Sequence, residues 1–197
     1  MARKVLIYVV ILVLTLFFNT MPMQAAVSKV TIKELIVKHS LEMGLDPALA
    51  LSIAKAESGF CHERRSKYGA IGVFQLMPST AKKMGYNPYH INENIKGGIT
   101  YYKLMYKMFG TTELALAAYN AGPGNVKKYK GIPPFRETKK FVASIMNNYN
   151  NLKSNPDPVM VQYNDAVKEI SDYSPYESDF RQQQEAILNL YLSNQGI

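Results

Sequence analysis

The sequence has 197 residues, enough for one compact domain with additional segments, and its apolar content of 47% is sufficient for a hydrophobic core. A single cysteine, Cys61, excludes an intrachain disulfide, and with only three scattered histidines we expect neither a metal site nor a cofactor. The net charge of +8 favours polyanionic partners such as nucleic acid, anionic lipid or a charged cell wall.

The N-terminus has the pattern of a secretory signal. Two basic residues precede an uncharged run from Val5 to Phe18, and the small residues Ala25 and Ala26 follow. The run is short for a membrane span. Cleavage after Ala25 or Ala26 would place Met23 or Gln24 three positions before the cut, where a small residue is usual. Residues 1–26 are therefore assigned as either a cleaved signal peptide or an uncleaved N-terminal anchor. In either case we expect an exported protein, in the periplasm or cell envelope.

Two helices are predicted next. The first spans about 30–43 and ends at Gly44, and its apolar face includes a packed histidine. The residues of that face are Val30, Ile32, Leu35, Ile36 and His39. The second helix begins at Asp46-Pro47, with Asp as N-cap and Pro at the first helical position. Its inward residues are expected to be Leu49, Ile53 and Ala56, and it delivers Glu57 into a polar turn.

The middle of the body alternates loops and helices. Residues 61–75 contain Gly69 and Gly72, and they predict a loop that has room for a small β-hairpin. Ser79-Thr80 is expected to cap a short helix over 81–85. A long helix is predicted from about Asn92 to Phe109. Its helical stripe consists of Ile95, Ile99, Tyr102, Tyr106 and Phe109.

Three further helical segments complete the body. Thr112 is expected to cap a helix over 113–121, which Gly122-Pro123-Gly124 ends. One further turn is predicted over 126–130. The last helix runs from about Glu137 to Leu152. Its inward residues are Phe141, Val142, Ile145 and Tyr149.

Charge separates the body from the tail. Residues 1–152 hold 20 Lys or Arg against 8 Asp or Glu, whereas residues 153–197 hold 3 against 7. We therefore predict a body over 27–152 and an acidic, partly helical C-terminal extension over 153–197, with weak helical patterns at about 160–171 and 178–193. The predicted fold class is mainly α.

Two interpretations of Glu57 are open from the surrounding residues alone: a solvated surface residue near a helix end, as most Glu residues are, or a general acid. A carboxyl group at the end of a buried helix is partly desolvated, and desolvation raises its pKa toward neutrality. Glu63 lies between His62 and two arginines and is expected to be a salt-bridged surface residue. Cys61 is expected to be a partly buried thiol, since catalytic Cys and His residues are usually distant in sequence.

Four separated stretches carry a family resemblance. They are Glu57-Ser58-Gly59-Phe60, residues 69–78 (GAIGVFQLMP), residues 117–124 (AAYNAGPG) and Phe135-Arg136-Glu137-Thr138. In this order and at these intervals, over about residues 31–150, they resemble the soluble-type lytic transglycosylase (SLT) domain. The resemblance implies a lysozyme-like helical domain that cleaves peptidoglycan.

The resemblance also implies roles for individual residues. Glu57 would be the single catalytic acid and base: it protonates the oxygen between N-acetylmuramic acid and N-acetylglucosamine, and the muramic acid's 6-hydroxyl then closes a 1,6-anhydro ring. The other matched positions would bind substrate, with the tyrosine hydroxyl near the catalytic carboxylate. These substrate-binding positions are Ser66, Gln75, Tyr119, Asn120 and Glu137.

Three departures from the family pattern bear on the site. Cys61-His62 stands where the family usually has Asn-Pro, in the turn after the catalytic helix. Val73-Phe74 replaces Leu-Met; Phe74 is also assigned as a substrate-binding residue, and we expect its bulkier ring to alter sugar stacking in the groove. Phe141 replaces a usual tyrosine.

Other functions remain open at this point. A goose-lysozyme-like muramidase on the same fold would add water, and a non-catalytic wall-binding scaffold would not need Glu57. The acidic tail is a candidate docking segment for an envelope-spanning secretion or conjugation machine, while general wall turnover is equally open. A nucleic-acid partner is not expected, because no groove-reading motif is found.

Overall fold

The computed structural model describes residues 27–163 and 165, and the mainly helical fold predicted from the sequence is confirmed there. The helices in this part of the chain are α1 (Lys29–Glu42), α2 (Pro47–Ser58), α3 (Pro78–Lys83), α4 (Ile91–Phe109), α5 (Thr112–Ala121), α6 (Pro123–Tyr129) and α7 (Arg136–Ser154). The signal or anchor segment and most of the acidic tail lie outside the described residues.

Local sequence explains where most helices begin. The Asp46 carboxylate accepts the Ala48 N–H at 2.9 Å, as expected for the N-cap of α2. Two other caps were predicted wrongly. Helix α3 begins at Pro78 without a side-chain cap, so that Ser79 and Thr80 lie inside it. The cap of α5 is Thr111, one residue earlier than expected, and its hydroxyl accepts the Leu114 N–H.

The helices bury one continuous core. Helix α2 packs on α1 and α7, and α5 packs on α4, α6 and α7. In the predicted inward stripe of α4, Ile95, Ile99 and Tyr102 are buried, but Tyr106 is exposed. Val30 and Ala56 are also exposed, contrary to prediction. All three lie in the terminal turns of their helices.

The region after α2 contains no strand within the described residues, and the predicted hairpin is reduced to two isolated antiparallel bridges. These join Arg65 to Ile71 and Ile71 to Leu76.

His39 of α1 is packed as predicted, with its two ring nitrogens 2.8 Å from Glu42 and 2.9 Å from Asn92.

The described start of the tail returns to the body. Helix α7 continues past Leu152 to Ser154, and a further helical segment begins at residue 158. Asp157 forms an ion pair with Lys33 of α1 at 2.6 Å, and Val159 is buried against the core. The predicted domain boundary between residues 152 and 153 remains a prediction. Within the described residues, no helix is both long and apolar enough to cross a membrane.

Candidate active site

Helix α2 ends in a turn that fixes the position of Glu57. Gly59 takes a left-handed conformation with φ of 64°, and its N–H bonds the Lys55 carbonyl at 3.1 Å. The next residue, Phe60, also has positive φ, which is uncommon outside glycine. The buried Ser58 hydroxyl donates to the Val73 carbonyl at 2.8 Å and accepts from the N–H of Cys61. Helix α2 is therefore tied directly to the loop that follows it.

Glu57 has the electrostatics of a proton donor. Burial raises its pKa to about 8, the positive charge of Arg64 opposes this rise, and the negative charge of Glu137 adds to it. Its carboxyl group is only partly buried, and among residues 27–163 no group forms a hydrogen bond or ion pair with it. A pKa of about 8 keeps most of this carboxyl group protonated at pH 7.

Gln75 lies at the tip of a tight turn between Ile71 and Leu76, whose backbones exchange hydrogen bonds at 2.9 and 3.0 Å. Its φ of 46° is positive, and its amide nitrogen donates to the carbonyls of Gly72, at 2.8 Å, and Arg64, at 3.2 Å. Carbonyls only accept, so these bonds fix which way the side-chain amide faces. The Gln75 oxygen is left as the acceptor.

The Asn94 side chain of α4 forms hydrogen bonds with the backbone of this turn, a role that the sequence did not reveal. This fully buried side chain accepts the Phe74 N–H at 2.9 Å and donates to the carbonyls of Ile71 and Pro88 at 2.8 and 3.0 Å. A Cβ on Gly72 would lie 2.5 Å from the Asn94 amide, so only glycine fits there. The available signal was the position of Asn94 in the first turn of α4, directly before the buried Ile95 of the helical stripe.

Phe74 does not contact the groove, and its predicted sugar-stacking role is wrong. Its side chain is fully buried, and a Cβ on Gly98 of α4 would clash with its ring. The extra bulk relative to methionine is therefore accommodated inside the core, where the glycine leaves space.

The Tyr119 side chain of α5 reaches the same turn. Its hydroxyl donates to the Phe74 carbonyl at 2.8 Å, and its ring lies 5.0 Å from that of Tyr101. Burial, the nearby Glu57 carboxylate and Tyr101 all raise the pKa of Tyr119 well above its usual value. The phenol therefore remains protonated, and its interaction with Glu57 places the two groups in one site.

Asn120 and Glu137 come from α5 and from the first turn of α7. The Asn120 oxygen accepts from the buried Thr138 hydroxyl at 2.8 Å, which leaves its amide N–H groups available. Glu137 is exposed and acts electrostatically on Glu57. Thr138, a positioning contact that the sequence did not single out, joins these two predicted positions.

Ser66 shapes the loop. Its hydroxyl oxygen accepts the N–H groups of Tyr68 and Ala70 at 3.2 and 3.0 Å, and the side chain is partly buried. The oxygen is thus engaged within the loop, while its proton remains free to be donated. A contact between Ser66 and the sugar stays a prediction.

Cys61 and His62, which replace the usual Asn-Pro of the family, contact Glu63 and the segment before α4. Cys61 is partly buried, as expected, and its thiol lies 3.5 Å from the Glu63 carboxylate. Glu63 is exposed but forms no ion pair with any residue in 27–163, contrary to prediction. His62 donates through Nε2 to the carbonyl of Tyr89 at 2.9 Å, which ties this turn to the segment before α4.

No group of three or more His, Cys, Asp or Glu within the described residues could hold a metal ion.

Comparison with known proteins decides the family. Residues 34–142, more than half of the chain, match the family model described as the transglycosylase SLT domain. The chain belongs to the transglycosylase SLT family. This confirms the resemblance drawn from the four sequence stretches, and the matched region contains every predicted site residue from Glu57 to Glu137.

Proteins similar in sequence to this SLT chain are themselves described as transglycosylases. It is 33% identical over 128 residues to the transglycosylase of Enterobacteria phage PRD1, covering 64% of this chain and 46% of the relative. It is 30% identical over 138 residues to the soluble lytic murein transglycosylase of Salmonella typhimurium, covering 57% of this chain and 21% of the relative. The chain thus spans less than half the length of either protein.

A solved structure shows the same fold. An inactive mutant of the lytic transglycosylase Slt from Pseudomonas aeruginosa, in which a glutamate is replaced by glutamine, superposes with a TM-score of 0.54 at 30% identity. The match covers 63% of this chain and 24% of that one. The SLT fold of this chain is therefore shown by sequence and structure together.

Proposed function

We propose that this SLT chain is an exported peptidoglycan lytic transglycosylase. It would cleave the β-1,4 bond between N-acetylmuramic acid and N-acetylglucosamine without adding water and leave 1,6-anhydromuramic acid ends. The observation that carries the proposal is Glu57, a partly buried carboxyl group with a pKa of about 8 and no ion-pair partner among residues 27–163. Family membership and the named relatives support the substrate class.

The reaction needs one protein carboxyl group used twice. Protonated Glu57 gives its proton to the glycosidic oxygen as the bond from that oxygen to the muramic acid C1 breaks. The C1 centre develops oxocarbenium character, which the substrate's own N-acetyl oxygen and the groove dipoles stabilise. The 6-hydroxyl oxygen then bonds C1 while Glu57, now a carboxylate, takes the hydroxyl proton. Glu57 returns to its starting state, and no water is consumed.

A single carboxyl group suffices because the nucleophile belongs to the substrate. Most glycosidases use two carboxyl groups, one as acid and one as base or nucleophile. Here the exposed Glu63 is turned toward Cys61, and Glu137 is exposed on α7. The 6-hydroxyl is held near C1 by the sugar ring, so that its attack has the entropic advantage of an intramolecular step.

The polar groups around Glu57 suit the N-acetyl groups of the substrate. The Gln75 oxygen is an available acceptor for an acetamido N–H, and the Asn120 amide is an available donor for a carbonyl. We propose that these two, with Ser66, Tyr119 and Glu137, bind the glycan strand. Export to the periplasm or cell envelope, and docking of the acidic tail on an envelope-spanning machine, are proposed from the sequence alone.

Turnover of purified sacculi by matched carboxyl variants tests the single-acid proposal. We expect Glu57→Gln to reduce soluble product release by at least about 1,000-fold, whereas Glu63→Gln stays within about 3-fold of wild type. Glu137→Gln should alter KM more than kcat. A Glu57→Gln variant with normal turnover would support a non-acidic or scaffold role instead.

A further inference from the structure

A strongly basic surface adjoins the candidate site. Residues 127–140, which cover the end of α6, the connection and the start of α7, contain six Lys or Arg and one acidic residue, Glu137. All six basic residues are exposed, and none forms an ion pair within residues 27–163. We name this the α6–α7 basic surface. Its basic residues are Lys127, Lys128, Lys130, Arg136, Lys139 and Lys140.

Two exposed aromatic side chains join the two helices in the middle of this surface. Tyr129 and Phe135 meet edge to face with ring centroids 5.6 Å apart, and they are 42% and 38% exposed. The Lys128 ammonium lies 5.5 Å from the Tyr129 ring centre. The aromatic contact makes the basic ends of α6 and α7 one continuous surface. Unpaired cations around exposed rings suit a ligand that combines anionic groups with a sugar or apolar part.

The surface is continuous with the site around Glu57. Arg136 and Lys140 are one helical turn apart on α7, and Glu137, whose charge acts on Glu57, lies between them. Thr138 in the same turn bonds Asn120. A substrate bound beside Glu57 is therefore adjacent to this surface, which favours a substrate feature over a separate lipid or protein partner.

We propose that the α6–α7 basic surface binds the carboxylates of the peptide stems that peptidoglycan carries. This inference rests on the proposed function, since it takes the occupant of the groove to be a peptidoglycan strand. The glycan itself has few charges, whereas its peptides bear several free carboxylates. Binding them next to Glu57 would select strands that still carry peptides over bare glycan.

Binding to chemically matched sacculi tests this inference. Native sacculi are compared with sacculi whose carboxylates have been converted to neutral amides by carbodiimide coupling to ammonia. Cosedimentation is measured in a Glu57→Gln background, so that the polymer stays intact. The test variant replaces four of the six cations of the α6–α7 basic surface with glutamine and leaves Glu137 unchanged. Its substitutions are Lys128→Gln, Lys130→Gln, Arg136→Gln and Lys140→Gln.

A control variant removes the same charge from exposed lysines on α1, α3 and α4. Its substitutions are Lys29→Gln, Lys82→Gln, Lys83→Gln and Lys107→Gln. We expect the parent protein to bind native sacculi about 10-fold more tightly than amidated sacculi at low salt, and the control to keep most of this preference. The test variant should bind both polymers equally, at the weaker affinity, with an unchanged Tm.

Two results would overturn the proposal. One is a test variant that still distinguishes native from amidated sacculi as the control does. The other is a parent protein without this preference that instead binds vesicles of phosphatidylcholine and phosphatidylglycerol through the same four cations, which would make the surface a lipid site. Because binding is read without turnover, a failure of the proposed catalysis would appear separately, as absent product release by the protein with Glu57 intact.

Discussion

The hydroxyl of Tyr119 donates a hydrogen bond of 2.8 Å to the backbone carbonyl of Phe74, inside the core. This bond joins α5 to the turn that presents Gln75 and uses the only proton of the phenol. Any further hydrogen bond of the phenolic oxygen is therefore one that it accepts, which suits a protonated Glu57 as donor. The hydrogen bond to Phe74 thus fixes the turn and leaves the phenolic oxygen as an acceptor for the protonated form of Glu57.

Tyr119→Phe should weaken both folding and turnover. The substitution leaves the buried Phe74 carbonyl without its partner, and an unpaired buried acceptor costs about 1–3 kcal/mol of unfolding free energy. Urea unfolding at pH 7, together with turnover of sacculi, measures the two effects. Tyr68→Phe, at a side chain that is 73% exposed, is the control and should change neither. Equal stability of Tyr119→Phe and wild type would contradict the importance of this bond.

The pH dependence of kcat/KM should report Glu57 as an acid. With a pKa of about 8, the group is protonated at neutral pH and loses its proton as the pH rises through that value. We expect kcat/KM to be constant near neutrality and to fall toward a slope of about 10-fold per pH unit above the pKa. An alkaline limb that begins below pH 6 would show that burial does not raise this pKa.

Two neighbouring charges should move that limb in opposite directions. The Arg64 cation lowers the pKa of Glu57, so Arg64→Gln should shift the alkaline limb to higher pH. The substitution keeps the Arg64 backbone carbonyl, which accepts a hydrogen bond from the Gln75 amide. Glu137 raises the pKa, so Glu137→Gln should shift the limb to lower pH. Arg65→Gln is the control for general charge, because the Arg65 side chain instead bonds backbone carbonyls. Shifts of the same sign in the two test variants would refute this account.

Glu57→Gln should stabilise the fold at alkaline pH. Between the ordinary carboxyl value of 4.5 and the folded value of about 8, the folded protein holds more protons than the unfolded chain, so wild-type stability falls as pH rises through this window. Glutamine lacks this penalty. The gain should be absent at pH 4 and reach on the order of 1–3 kcal/mol at pH 9, as measured by denaturant unfolding. Glu63→Gln, at an exposed site, should show no pH-dependent gain, and a gain for Glu57→Gln already present at pH 4 would argue against the desolvation of this group.

The sequence predicted the helices well where local signals were strong. Asp46-Pro47 marked the start of α2 correctly because capping and proline geometry depend on adjacent residues alone. The stripe through Ile95 and Ile99 marked α4, since apolar spacing reports the buried face directly. Tyr106 was misplaced because periodicity does not show where the covering helices end.

The candidate site was predictable in part. The family pattern indicated Glu57, Gln75 and Tyr119, and the structure brings these into one region. Spacing could not show that Phe74 turns into the core, because that depends on the space left by Gly98 on a distant helix. Nor could it reveal the hydrogen bonds of Asn94, which join the Gln75 turn to α4 across some twenty residues of chain.

The mass of the products formed in heavy-oxygen water tests the central claim most directly. Sacculi are digested with wild-type protein, and the soluble muropeptides are analysed by mass spectrometry, with Glu57→Gln as the blank. The account predicts anhydromuropeptides that are lighter than hydrolysis products by one water and carry no heavy oxygen, because the 6-hydroxyl supplies the new bond to C1. Products with reducing ends that contain one heavy oxygen each would contradict it and identify the protein as a hydrolytic muramidase.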